Sequence, residues 1–434
     1  MPSSNLTLKT IFKFWLPLFL TWLMMAFEGP FLTAIIARMA SSTYNLAAYG
    51  VAFSFALIIE APVIMIMTAS TALIKDNLSF CRLRNFTYAL NIIITASMLI
   101  ILIPDIFNYL TITLIGLEKN VAHLTHITTL ILLPWPGAIG YRRFYQGILI
   151  RSHQTRKVAY GTAVRVISMF FTALILYLFS QISGAYIGAI ALSTGVILEA
   201  VAARIMAHKA TNNIRNKQLT AGTTHLSYRG ISLFYYPLAL TSFLGLGIHP
   251  LVTFFIGQSK NSLESLAILP VVNAIVFVFR AFGLSFQEVA VTYLGSGREN
   301  RMAVNKFAAL LALAASAGLF IIAMPPFFTL WYTKISGLSP ELAQFARIPT
   351  LVLILLPGFS VWLSWQRSVL VAGQFTKPIT FATAIEVCGI AAVIFILIQY
   401  FDFIGATAAA CAFLIGRFAA NVYLIKPVSK LQQR

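Results

Sequence analysis

Long apolar runs, each of roughly twenty residues or more, follow one another down this chain, separated by short polar or basic connections. One bilayer crossing takes roughly 20 apolar residues. Runs near 11–38, 44–75, 88–114, 122–149, 158–181 and 184–208 therefore read as membrane-crossing helices. A second set follows near 229–257, 263–294, 305–331, 342–371, 378–400 and 403–426. Charged residues make up only 10% of the 434, against a mean hydropathy of +0.85, where a soluble domain carries about 25%. The first run, from Ile11, is long enough to persist as a helix rather than act as a cleaved leader. The expected fold class is an all-α polytopic membrane protein with about twelve transmembrane helices.

A net charge of +19 would suggest a nucleic-acid partner until it is mapped. Even-numbered connections and the termini hold Lys9, Lys13, Lys75, Arg82, Arg84, Arg151, Arg156, Lys157, Arg204, Lys209, Arg301, Lys377 and Lys426, among others. Odd connections hold only Arg38, Lys119, Lys260, Lys334 and Arg347. Lysine and arginine collect on the cytoplasmic side of membrane proteins. Both termini are thus expected in the cytoplasm of a plasma-membrane or bacterial inner-membrane protein. The surplus charge serves topology and attraction to anionic membrane lipids, and no nucleic-acid partner is expected.

The chain also repeats itself. At an offset of 220, Phe14 meets Phe234, Pro17 meets Pro237, Thr21 meets Thr241, Pro30 meets Pro250 and Thr33 meets Thr253. At 221 the register resumes: Pro136-Gly137 meets Pro357-Gly358, Thr155 meets Thr376, Gly184-Ala185 meets Gly405-Ala406, and Gly195 meets Gly416. Matches of proline, glycine and threonine in one register are hard to obtain by chance in apolar sequence. Six spans per copy is an even number, so both copies enter the membrane in the same sense, as a parallel repeat. The expected domains are an N-lobe over 1–208, a polar cytoplasmic linker over 209–228 and a C-lobe over 229–434.

Proline inside a helix removes a hydrogen bond and bends the axis. Pro30, Pro250, Pro136 and Pro357 are accordingly candidate hinges at matched points of both lobes, suited to rocking bundles.

Ionisable groups at bilayer depth are costly and usually face a cavity or a partner. Glu60 and Arg280 are repeat-equivalent and opposite in charge, and so are Arg165 and Glu386. Opposite charges at matched positions are candidates to pair across the two-fold axis and hold one end of a central cleft closed; the sequence leaves open whether they do. Arg143, Arg367 and Arg417 line the same interior, with Arg142, Arg143 and Arg367 near enough to the cytoplasmic face to snorkel. Glu199 and Glu288 are candidate partners for these arginines. Glu28, beside Gly29-Pro30, and His249, beside Pro250, are candidate proton or sodium coupling groups.

Arginine keeps its charge and forks onto carboxylate or phosphate oxygens, so an arginine-lined cleft points to a small anionic substrate. An inside-negative potential favours export of an anion by about 2.3 kcal/mol per charge per 100 mV. Cys81, Cys388 and Cys411 form no disulfide or metal-ligand pattern, and no metal or cofactor is expected. P-loop, HExxH and GxSxG motifs are absent from the sequence, which reads as a carrier rather than an enzyme.

Leu46-Ala47-Ala48-Tyr49-Gly50-Val51-Ala52-Phe53-Ser54 with Pro62, and Phe234-Tyr235-Tyr236-Pro237-Leu238-Ala239-Leu240, carry a family likeness. Gly147-Ile148-Leu149 and Gly405-Ala406-Thr407 add to it. Through these segments the sequence resembles the progressive ankylosis protein (ANKH-like) family, a branch related to the multidrug and toxin extrusion (MATE) and flippase (MOP) superfamily. The resemblance implies a MATE-like fold and export of polyanions of the citrate, pyrophosphate and ATP class. The wider superfamily implies two alternatives: a proton- or sodium-coupled multidrug exporter of cations, and a lipid-linked flippase.

Overall fold

The computed structural model describes residues 6–152, 154–216, 226–295, 301–373, 375 and 377–433. Among them the chain is almost wholly helical. The first copy comprises α1 (Leu8–Ala26), α2 (Glu28–Ala37), α3 (Ser42–Ile64), α4 (Ile66–Leu73), α5 (Asn77–Ile101), α6 (Pro104–Asn108), α7 (Lys119–Ile131), α8 (Pro134–Arg151), α9 (Thr155–Phe179) and α10 (Gly184–Met206). A short α11 (His208–Arg215) leads to the second copy. That copy comprises α12 (Tyr228–Gly257), α13 (Ser262–Gly295), α14 (Arg301–Ala323), α15 (Phe327–Thr329), α16 (Pro340–Val352), α17 (Leu356–Ala372), α18 (Lys377–Gln399) and α19 (Gly405–Gln433).

Eleven helices among the described residues are long and apolar enough to cross a membrane, one fewer than expected. The shortfall falls on the fourth span, which divides into α7 and α8 at Leu132 and Leu133. Pro134 and Pro136 have no N–H to give the carbonyls one turn back, so the helix cannot run through. Pro357 acts likewise in the tenth span, where a 3₁₀ turn (Leu353–Leu355) separates α16 from α17. Pro136 and Pro357 therefore sit in the opening turn of a new helical segment, not midway through a continuous one. Pro30 withholds the N–H that would reach the Ala26 carbonyl, and the first span breaks at Phe27. Pro250 is accommodated inside the unbroken α12.

The repeat is written in the backbone as well as the sequence. Ser41 (φ 52) and Asn261 (φ 50) are matched left-handed residues, as are Gly116 (φ 83) and Gly337 (φ 73). A π-helical turn at Tyr109–Leu114 recurs at Leu330–Ile335.

Compact packing nonetheless divides the chain differently from the expected lobes. One unit joins Met1–Arg38 to Phe254–Arg434, and the other is Met39–Thr253. The physical reason lies in the first helix of each copy. In the first unit the Trp15 indole donates to the Ser285 hydroxyl (2.9 Å) and Trp15 stacks on Phe19. Phe286, Phe307 and Val361 close a core around it. At Gly29 a Cβ would stand 3.1 Å from that of Ala274, so α2 lies close against α13. In the second unit the Tyr235 ring of α12 meets Phe86 edge-on (5.4 Å), and its hydroxyl donates to the Pro62 carbonyl at the break between α3 and α4.

The expected linker also differs. Residues 208–215 form α11, which buries Ala210, Thr211 and Ile214 and exposes its polar face, while 217–225 fall outside the described residues.

Candidate functional site: two buried guanidinium clusters

Two groups of charged side chains lie inside the helical packing, one in each unit. In the second unit Glu199, fully buried on α10, is the centre. It accepts from Arg142 of α8 in a close ion pair and from the Gln146 amide at 3.0 Å, with Arg165 of α9 at 3.6 Å. Glu60, on the last turns of α3, is buried within electrostatic range of Arg142, Arg143 and Arg165. Its Oε2 has no hydrogen-bond partner among the described residues.

The first unit holds the counterpart. Glu386 of α18 accepts from two guanidinium nitrogens of Arg417 on α19, at 2.8 and 2.6 Å. Arg417 also donates to the Ser360 hydroxyl on α17 (3.2 Å). Arg280 of α13 and Arg367 of α17 lie in electrostatic range of both Arg417 and Glu386. Arg367 donates to the Thr383 hydroxyl (3.3 Å), but no ion pair holds Arg280 or Arg367 among the described residues.

A backbone feature places both centres. At Gly195 of α10 a Cβ would stand 3.1 Å from the Arg165 carbonyl, and at the matched Gly416 of α19 one would stand 2.9 Å from the Glu386 carbonyl. Absence of a side chain lets α10 settle on α9 and α19 on α18 at the two repeat-equivalent charges. The neighbouring helix then delivers the opposite charge, Glu199 in one unit and Arg417 in the other.

Arg165 meets Glu199 and Glu386 meets Arg417, each inside its own unit. No ion pair holds Glu60 or Arg280 among the described residues. Arg142 does not snorkel: it is only 5% exposed and spent on Glu199. Sequence reading left Gln146 and Ser360 out of the site. The repeat held a clue to one of them, since Gln146 is the equivalent of Arg367. Glu28 begins α2 directly after the turn at Phe27, and His249 lies within α12 next to Pro250.

The chemistry of both clusters is one-sided. The described residues set three guanidinium groups against two carboxylates around Glu199, and three against one around Glu386. A buried charge without a partner carries a large desolvation penalty. Each cluster is thus built to take up negative charge.

The fold is similar to an inward-facing multidrug resistance MATE family transporter of the MOP superfamily (TM-score 0.74, 14% identity, 96% of this chain and 98% of that one). It is equally similar to the lipid II flippase MurJ in an inward closed conformation (TM-score 0.74, 15% identity, 95% of this chain and 87% of that one). The Vibrio cholerae MATE transporter VcmN in its bent form shares it too (TM-score 0.53, 12% identity, 98% and 99%). No protein-family model and no curated protein matches the chain, so the resemblance to the progressive ankylosis family gains no support from sequence comparison. The likeness establishes a MATE-like fold, and with its apolar helices the chain is an integral membrane protein.

Proposed function

We propose that this chain is a secondary transporter that exports small polyanions, of the citrate, pyrophosphate or nucleoside triphosphate class, by rocking-bundle alternating access. The observation that carries this reading is the buried guanidinium surplus, above all Arg280 and Arg367, which lie in the first unit with no ion pair among the described residues. A polyanion supplies the missing carboxylate or phosphate oxygens in the forked geometry arginine favours. Glu60 and Arg280 then act as gating groups, and Glu28 and His249 as sites for a coupling proton or sodium ion. The breaks at Phe27, Leu132 and Leu353 provide bending points next to Pro30, Pro136 and Pro357. Both termini are assigned to the cytoplasm by the distribution of basic residues. A non-enzymatic role agrees with the transporter neighbours.

The ANKH-like resemblance points to the same substrate class. The equal likeness to MurJ supports a second reading, a flippase for a lipid bearing an anionic headgroup, which the same basic clusters suit. A cation exporter, suggested by the multidrug transporter, fits the guanidinium surplus least well.

Proteoliposomes containing the purified chain are expected to move labelled citrate, pyrophosphate or ATP, and Arg280→Gln to remove that movement with folding retained. Transport of none of these anions, together with uptake of organic cations that Arg280→Gln leaves unchanged, would reject the anion reading.

A further inference from the structure

The second unit carries a groove on its outer wall, lined by none of the charged residues of the Glu199 cluster although Tyr141 and Ala200 adjoin two of them in sequence. The space is about 580 Å³ and is walled by α5, α8 and α10, with Asn91, Gly137, Tyr141, Val201, Arg204 and Ile205 among its lining. That volume falls within the range of about 300–1,000 Å³ that small-ligand pockets occupy.

The groove is apolar along its length and basic at one end. Ile197, Val201 and Ile205 lie on one stripe of α10 and stay 38%, 50% and 67% exposed, so this wall faces the surroundings of the protein and not its core. From Ile197 to Arg204 the stripe runs roughly 10 Å at the helical rise of 1.5 Å per residue. Gly137 and Ala138 leave the opposite wall low. The far end is polar, with the Asn91 amide donating to the Gly137 carbonyl (3.2 Å) and its Oδ1 unpartnered among the described residues.

Arg204 marks the other end. Its guanidinium lies over the Tyr145 ring at 5.0 Å, and among the described residues no hydrogen bond or ion pair occupies its donors. Stacking on an aromatic face leaves the edge of the guanidinium free to fork onto an anion. Arg151, Arg156, Lys157 and Lys209 belong to the same end of the bundle, the one assigned above to the cytoplasm.

An apolar trough of helix-turn dimensions, open to the side and closed by an unspent guanidinium, is complementary to one class of molecule. We infer that this groove is a binding site for an anionic phospholipid of the inner leaflet, its phosphate on Arg204 and an acyl chain along Val201 and Ile197. Basic pockets between helices on the cytoplasmic side bind acidic headgroups in this manner. None of the charged residues of the buried clusters lines the groove, so the assignment does not rest on what the protein transports.

The test is native mass spectrometry of the chain extracted from vesicles of phosphatidylcholine and phosphatidylglycerol. Wild type is expected to retain phosphatidylglycerol in preference. Arg204→Gln is expected to lower that retention about fivefold, the effect of one basic residue at an anionic surface. Val201→Trp, at a half-exposed position that tolerates bulk, is expected to displace the lipid while leaving the charge in place. Lys209→Gln, a cation of the same end outside the groove, is expected to change nothing. Equal retention of the two lipids by wild type would overturn the assignment. So would unchanged phosphatidylglycerol retention in Val201→Trp, or a loss in Lys209→Gln as large as that in Arg204→Gln.

Discussion

Gly416 lies so close to Glu386 that a Cβ on it would stand 2.9 Å from the Glu386 carbonyl, and the next residue, Arg417, pairs with the Glu386 carboxylate. The other unit repeats the close approach with reversed charge, Gly195 against Arg165, and Glu199 one turn further along α10. One packing device has thus been used twice with the acid and the base exchanged.

That exchange makes the polarity of the pair testable. Arg417→Ala removes the ion-pair partner of Glu386 found among the described residues, leaving Arg280 and Arg367 in electrostatic range, and is expected to cost up to about 3–5 kcal/mol, the loss of one buried partner. The double reversal Glu386→Arg with Arg417→Glu places at 386 the residue that its equivalent, Arg165, already holds. Thermal unfolding in detergent is expected to show the double variant more stable than either single reversal. Equal destabilisation of all three would mean that the pair contributes by shape and not by charge.

Removing the other centre should be at least as severe. Glu199→Gln leaves Arg142 and Arg165 with Glu60 as the remaining carboxylate of the cluster. A loss of about 3–5 kcal/mol is expected, partly recovered when Arg142→Met removes the stranded charge as well. The check is a double-mutant cycle read by melting temperature.

The glycines give a steric prediction. Gly416→Ala drives a methyl group into the Glu386 carbonyl and the Ile390 side chain, an overpacking that costs about 1–3 kcal/mol. Gly389→Ala, whose Cβ would meet Gly416 at an ordinary 3.5 Å, is the control and is expected to be tolerated. A size-exclusion profile of the two variants distinguishes them.

An exposed pair supplies the contrast. Lys260 and Asp402 form an ion pair whose side chains remain 62% and 63% exposed. Surface pairs contribute about 0–1 kcal/mol and weaken with salt. Asp402→Ala is therefore expected to shift the unfolding midpoint little, and less still at high ionic strength. A drop as large as that of Arg417→Ala would mean that exposed and buried charge pairs stabilise the chain alike.

Transport offers the remaining prediction. Arg367→Gln keeps a hydrogen-bonding group near Thr383 and copies the residue at the equivalent position, Gln146, so the fold should survive. A reduced anion flux with an unchanged melting temperature is expected in proteoliposomes. Normal flux would remove Arg367 from the site.

The sequence alone determined most of the spans and the duplication. Lipid demands long apolar runs, and a duplicated chain keeps its prolines, glycines and left-handed turns in register, as Ser41 and Asn261 show. It also revealed that Arg165 and Glu386 are opposite charges at one position. Tertiary structure decided their partners. Glu199 aligns with Ala420 and Arg417 with Val196, so neither partner has a charged equivalent for the repeat to reveal. Only the crossing of neighbouring helices brings them together. Packing also gave each compact unit the first helix of the opposite copy, through contacts such as Trp15 on Ser285 and Tyr235 on Pro62. Apolar helices bear no local mark of which neighbour they will meet, because nearly any such face can pack on any other until side-chain shape and buried hydrogen bonds choose.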